Sequence, residues 1–232
     1  MKISVIIPTY NEAANIGSLI ESLQKNGKEH LAEIIVSDSP NSTDDTVGVA
    51  KKFDAIGVTS SRKGRGFQMN YGANFATGDI LYFIHADTKI NPDFVSDILQ
   101  AVGEGFDLGC YRYIFDSNNL LLKINAYFTR FDKIWCRGGD QTLFVTKSAF
   151  DKLEGYRSDF LIMEDYDFIL RARKFFKFKI IPKNVIVSAR KYETNSYFRV
   201  QLANFRVMKM FLSQNYSQKE MAEAYQKMLN YR

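Results

Sequence analysis

The chain has 232 residues, of which 46% are hydrophobic and 25% charged, a balance that suits a soluble globular protein with a substantial core and argues against extended disorder. The net charge is +5 with no long basic block, so nucleic acid is disfavoured as a partner and a phosphorylated small molecule or an anionic surface fits more simply. Cys110 and Cys136 are too few for a disulfide framework, no apolar stretch approaches the roughly 18 residues of a membrane span, and the N-terminus reads as a strand rather than a leader. A cytoplasmic chain is expected, with contact at the inner membrane surface as the only membrane role left open.

The order of elements begins with an apolar strand, Ile3 to Ile7, followed after Asn11 by a helix with Ile16, Leu19, Ile20 and Leu23 on one face. Glu33 to Ser37 is a second strand, Asp38 to Ser42 a polar loop, and Thr43 is placed to cap a helix carrying Val47 and Ala50. Ala55 to Thr59 is a third strand. Gly64 to Gly66 forms a basic glycine turn, and Phe67 to Ala76 a helix ending at Gly78. Ile80 to Ile84 is the fourth strand, and Asn91-Pro92 starts the next helix with Pro at its first position.

From there the pattern becomes mixed, with strands at Gly109 to Phe115 and Thr142 to Thr146 enclosing a helix from Leu120 to Lys133. A helix from Asp165 to Phe176 follows, then short strands at Ile180 to Ile181 and Val185 to Val187. Tyr197 to Leu212 mixes Phe and Met with Arg199, Arg206 and Lys209; it is expected to pack on the core, the alternative being a membrane-surface helix. Ser217 to Glu220 has the form of a capping box, opening a last helix with Met221, Ala224, Tyr225 and Met228 on one face. Alternating strands and helices predict an α/β fold: a Rossmann-like, mostly parallel central sheet with helices on both faces and a smaller mixed half. With no linker rich in Gly, Ser or Pro, residues 1–232 are expected to form one domain, divided into a ligand-binding half (1–105), a catalytic half (106–192) and C-terminal helices (193–232).

Several polar residues stand where ligands bind in such sheets, beyond the carboxyl ends of the strands. His85-Ala86-Asp87 follows the fourth strand, and Asp87 is suited either to meet a ligand's phosphates through Mg²⁺ or Mn²⁺ or to cap the next helix. Pro8 to Glu12 and Asp38 follow the first two strands, and Glu164-Asp165 opens a helix after the apolar run Phe160 to Met163, a setting that raises carboxylate basicity. Arg62, Lys63 and Arg65 flank glycines before a helix, a geometry for phosphate or simply a solvated basic loop. The glycines make neither a Walker loop nor a dinucleotide fingerprint, which disfavours a nucleotide triphosphatase or a dehydrogenase.

Taken together, Ser4 to Glu12, the Glu33 to Thr46 segment, His85-Ala86-Asp87 and Glu164-Asp165 resemble the signatures of family 2 glycosyltransferases of the GT-A fold, and the likeness runs from Ile3 to about Tyr192. Arg65-Gly66-x-Gln68-Met69-Asn70, Gly139-Asp140-Gln141 and Ser188-Ala189-Arg190 resemble a soluble subgroup without membrane spans. The resemblance implies transfer of a sugar from a UDP- or GDP-sugar to an acceptor hydroxyl with inversion, with Asp165 as general base and Glu164 positioning it or touching the acceptor. It implies donor contacts from Pro8, Tyr10, Glu12, Asp38, Arg65, Asn70, His85, Ala86, Asp87 and Arg190. Gly139, Asp140 and Gln141 would form the acceptor-side floor, and Trp135 either stacks on a sugar or lies in the core. Two residues depart from the family pattern. His85 replaces the first Asp of Asp-x-Asp, and Arg190-Lys191-Tyr192 stands where many relatives place a histidine ligand. Both leave open a nucleotide-sugar-binding pseudoenzyme with an altered metal site.

Overall fold

The computed structural model describes residues 1–138 and 141–229. Strands β1 (Ile3–Thr9), β2 (Leu31–Asp38), β3 (Ile56–Thr59) and β4 (Ile80–Phe83) are the four apolar runs of the first half. They are joined by helices α1 (Ala13–Gly27), α2 (Thr46–Lys52) and α3 (Arg65–Ala73), and β4 leads into α4 (Phe94–Gly103). The second half supplies β5 (Leu108–Phe115), α5 (Leu120–Tyr127), β6 (Leu143–Thr146), α6 (Lys147–Lys152), α7 (Glu164–Ala172) and β7 (Phe178–Val187). Helices α8 (Tyr197–Ser213) and α9 (Gln218–Met228) follow.

All seven strands join one sheet in the order β3-β2-β1-β4-β6-β5-β7. β6 pairs antiparallel with β4 and β5, and the other pairings are parallel. Because side chains alternate across a strand, β1 feeds two cores: Ile3, Val5 and Ile7 pack with α1, α2 and α4, whereas Ile6 packs with α3, α6 and α7. This sandwiching is why the strands carry consecutive apolar residues. Since β1, β2 and β4 run parallel, Thr9, Asp38 and the His85–Asp87 loop emerge at the same edge.

Several boundaries differ from the sequence reading, each for a local reason. Asp45 rather than Thr43 caps α2, its carboxylate accepting from the Gly48 N–H at 3.1 Å, while the Thr43 N–H donates to Asn11 Oδ1 at 2.7 Å. Arg65 and Gly66 belong to the first turn of α3, because Gly64, at φ +130°, makes the turn alone. That helix ends at Ala73, short of the expected Ala76. Asn91-Pro92 lies ahead of α4, where Asn91 Oδ1 accepts from the Asp93 N–H at 3.0 Å. Helix α5 stops at Tyr127 and tightens into a 3₁₀ turn over Phe128–Arg130 instead of reaching Lys133, and α7 ends at Ala172, not Phe176. The two short late strands are one, β7, in which Pro182 and Lys183 bulge out of register opposite Tyr111 and Arg112. A proline has no N–H for the ladder, so the chain steps past it. The capping box at Ser217 and Glu220 forms as expected.

Candidate active site

At the end of β2 the Asp38 carboxylate is buried, and its Oδ1 accepts from the Thr9 hydroxyl at 2.7 Å and the Ser42 hydroxyl at 2.8 Å. Burial pushes its pKa up from the ordinary aspartate value, and the Thr9 and Ser42 hydrogen bonds pull part of the way back. The Gln68 side chain, reaching in from α3, donates to Thr9 O at 2.7 Å and Ser37 O at 2.9 Å, tying the two strand ends together. The Ser42–Thr46 run braces the start of α1. Asp44 Oδ2 accepts from the Ala13 N–H at 2.9 Å, and Thr46 Oγ1 accepts from the Glu12 N–H at 3.0 Å. Those N–H groups open α1 and need partners outside it. Burial pulls the Asp44 carboxyl up, but hydrogen bonds from Thr46 and Ala13 hold it below the ordinary range.

Glu12 is buried, with Oε2 accepting from Asn15 Nδ2 at 2.6 Å and Oε1 from Arg190 Nη2 at 2.7 Å. The same Nη2 lies 3.2 Å from Asp87 Oδ2. Arg190 thus bridges the carboxylates that follow β1 and β4, having arrived from the far end of the sheet beyond β7. Asp87 and Arg190 also border an open cleft of about 430 Å³ that includes Asn15, Ser18, Lys89 and Ser188.

The third cluster surrounds Arg65. Its Nε donates to Glu164 and its Nη2 to Asp165, while Nη1 stands 3.4 Å from His85 Nε2. A guanidinium offers only donors, so His85 Nε2 is the accepting side of this contact. Glu164 and Asp165 are buried at the N-terminus of α7, directly after Met163, whose φ of +66° is left-handed. For a residue other than glycine that conformation costs about 1–2 kcal/mol, which the surrounding packing offsets. Helix α3 packs against this turn, where a Cβ on Gly66 would stand 3.4 Å from Glu164 Cβ, in ordinary van der Waals contact. The apolar run before Glu164 does not enclose these carboxylates. Met163 instead packs with Val207, Met210 and Met221, and Leu161 is 60% exposed. Arg65 supplies the charge beside them, and Asp165 also borders the apolar side chains of Met69, Phe83, Ile84 and Leu143.

Other expected residues are dispersed. Pro8, His85, Gln141, Tyr156 and Asp165 share a pocket of about 10 Å³, room for one water, and Gln141 Oε1 is buried there without a hydrogen-bond partner. Ala86 is buried at the mouth of the cleft, and Tyr10 is half exposed. Asn70 spends its carboxamide on Tyr156, donating to its carbonyl at 2.6 Å and accepting from its N–H at 2.8 Å, so it holds backbone rather than facing a ligand. Gly139 and Asp140 lie outside the described residues. Trp135 is 67% exposed, not a core residue. Thr9 lies in the Pro8 to Glu12 segment expected at the ligand, whereas the sequence alone assigns no individual role to Ser42 or Gln68. Gln68 could have been found, because it sits one helical turn before Gly72 on the face of α3 that meets the sheet.

Among the described residues no three His, Cys, Asp or Glu side chains group as a metal site. Asp87 alone fits a hard cation of the kind that takes one or two carboxylates and completes its shell with phosphate oxygens and water.

Residues 4–179 match Glycosyl transferase family 2. An uncharacterized glycosyltransferase of Haemophilus influenzae is 24% identical over 73% of this chain and 61% of its own length. Other curated relatives are matched over as little as 19% of theirs. The mannosyltransferase PcManGT of Pyrobaculum calidifontis, solved with GDP-Man and Mn²⁺, has a TM-score of 0.67 at 17% identity, covering 98% of this chain and 69% of that one. Residues 1–349 of Staphylococcus aureus TarS, solved with UDP-GlcNAc, give 0.64 at 18% identity over 99% and 72%. The fold is therefore GT-A, as the sequence signatures implied, and no described helix is long and apolar enough to cross a membrane. With its profile match extending over most of the sheet that carries these three clusters, the chain belongs to glycosyl transferase family 2.

Proposed function

We propose that the protein transfers a sugar from a nucleotide-diphosphate sugar, a UDP- or GDP-sugar by the ligands of its structural relatives, to an acceptor hydroxyl with inversion at the anomeric carbon. The nucleoside is received by Asp38 with Thr9 and Ser42, beside Pro8 and Tyr10. Arg190 meets the diphosphate, whose oxygens compete with Glu12 and Asp87 for the guanidinium. Asp87, so released, and the diphosphate would hold Mg²⁺ or Mn²⁺, which when bound neutralises phosphate charge. Asp165 takes the acceptor's proton as the acceptor oxygen bonds to the anomeric carbon, and the bond from that carbon to the phosphate oxygen breaks with its electron pair leaving on the nucleotide. Arg65 holds the Asp165 and Glu164 carboxylates in place, and Gln141 lies on the acceptor side.

The observation that carries this reading is the meeting, at one sheet edge, of a buried carboxylate pair on α7 with the Asp38 and Asp87 positions. A thermal-shift panel of UDP-, GDP- and TDP-sugars with and without Mn²⁺ identifies the donor, since a ligand of the native state raises its apparent stability. With that donor, Asp165→Asn should bind unchanged by calorimetry and lose transfer by about 10²-fold or more. Transfer near the native rate would remove Asp165 from the role. Donor binding without any transfer or donor hydrolysis by the parent protein would favour the pseudoenzyme, a reading that the Arg190–Asp87 contact supports.

A further inference from the structure

Helix α8 has two apolar faces, and only one of them packs. Val200, Ala203, Val207 and Met210 are buried against α7 and α9, as the sequence led one to expect of the whole stretch. On the opposite side Phe198 is 73%, Leu202 59%, Phe205 69% and Leu212 52% exposed, at the three- and four-residue spacing of a single stripe. Lys209 lies in that stripe and Arg206 at its edge. A side-chain hydrogen bond from Asn125 Nδ2 to Gln201 Oε1 at 3.4 Å links α5 to α8, and α5 with its following turn exposes Leu120, Ile124, Tyr127, Phe128 and Phe131. Exposed apolar residues standing singly are ordinary, but an adjoining set of this kind marks an interaction surface.

Within the two segments that carry the patch the charge is of one sign, and Asp132, next to Phe131, is paired with Arg173. Between residues 197 and 213 the chain has Arg199, Arg206 and Lys209 and no acidic residue; between 120 and 131 it has Lys123 and Arg130 and again none. All five are exposed. We infer that this face docks on an anionic lipid bilayer, with the Phe and Leu stripe in the headgroup boundary and the cations at the phosphates. Long basic side chains lay their stems along apolar surface and keep the charge at the headgroups, which suits Lys209 inside the stripe. A second copy of the chain is a poorer occupant, because a two-fold contact through this face would bring its cations against their own copies. The docking surface does not depend on which donor or acceptor the active site takes.

Co-sedimentation with vesicles of phosphatidylcholine containing about one-third phosphatidylglycerol tests it. The parent protein should bind these vesicles, bind pure phosphatidylcholine weakly, and lose most binding at high salt. The single tryptophan, Trp135, exposed a few residues beyond Phe131, should shift its emission to shorter wavelength when anionic vesicles are added. Replacing Phe198, Leu202 and Phe205 together by Ser should cut binding about tenfold or more, and the far-ultraviolet melting curve verifies that the variant folds. Arg206→Glu with Lys209→Glu provides a second, polar variant that should abolish the preference for anionic lipid. Absence of binding by the parent, undiminished binding by the folded Ser variant, or a concentration-dependent dimer dispersed by the Ser substitutions without any vesicle binding would each overturn the inference.

Discussion

Arg65 and Arg190 each hold two carboxylates that are remote in sequence: Glu164 and Asp165 in one case, Glu12 and Asp87 in the other. A guanidinium keeps its charge at any accessible pH and binds oxygen pairs in a fixed plane, so both acidic pairs are oriented before a ligand arrives. Asp38 is different, being buried among hydroxyls with no ion pair among the described residues. Its raised pKa means that the native state binds the proton more tightly than the unfolded chain. Stability from this group is therefore complete below the unfolded value and is lost as pH rises through the folded one. Asp38→Asn keeps an oxygen for Thr9 and Ser42 and removes the buried charge, so at neutral pH it should melt at or above the parent temperature. The difference should vanish as pH falls through the carboxylate range, and nucleotide affinity should fall; melting scans across pH and nucleotide titrations check both. Asp87→Ala tests the cation. The gain in nucleotide affinity on adding Mn²⁺, measured by calorimetry, should disappear, and an undiminished gain would exclude Asp87 as the ligand.

At the scale of elements, the site depends on how closely strands and helices approach. β5 bridges β6 and β7, and at Gly109 an added Cβ would come within 2.3 Å of Lys179 O and 2.6 Å of the Phe144 ring. One of those contacts is backbone of the paired strand and cannot rotate aside. Gly109→Ala should therefore destabilise the fold by about 1–3 kcal/mol, the usual cost of overpacking, measurable as a lower denaturant midpoint. The effect should be on stability, with donor affinity of the folded fraction preserved, because Gly109 is distant in the sheet order from β1 and β2. Gly66 differs, since a Cβ there would stand 3.4 Å from Glu164 Cβ, in ordinary van der Waals contact.

For the whole molecule, one continuous sheet joins the half that ends in Asp38 and Asp87 to the half that supplies Asp165 and Arg190, and each of the two main cores draws residues from both halves. Met163, immediately before the carboxylate pair, packs with α8 and α9. We expect one cooperative unfolding transition by calorimetry with equal calorimetric and van't Hoff enthalpies, as for a single domain spanning the chain; two resolved transitions would divide it.

The order of strands and helices apart from α6, the capping box at Ser217 and the strand-end positions of Glu12, Asp38 and Asp87 were legible in the sequence, because hydrophobic period and local capping act over a few residues. Boundaries set by tertiary contact were not: Thr43 went to Asn11 instead of capping α2, and β7 ran through Pro182 by bulging. Charge environment was the least legible of all. The apolar residues before Glu164 suggested an apolar setting, yet Ile162 and Met163 pack toward α8 and α9, Leu161 is exposed, and the guanidinium that meets the carboxylates comes from 99 residues away. The sequence by itself determined which groups stand at the sheet edge. Only the folded chain decided which charges face one another there and which face of α8 stays uncovered, because both depend on packing between elements whose separation along the chain carries no local signal.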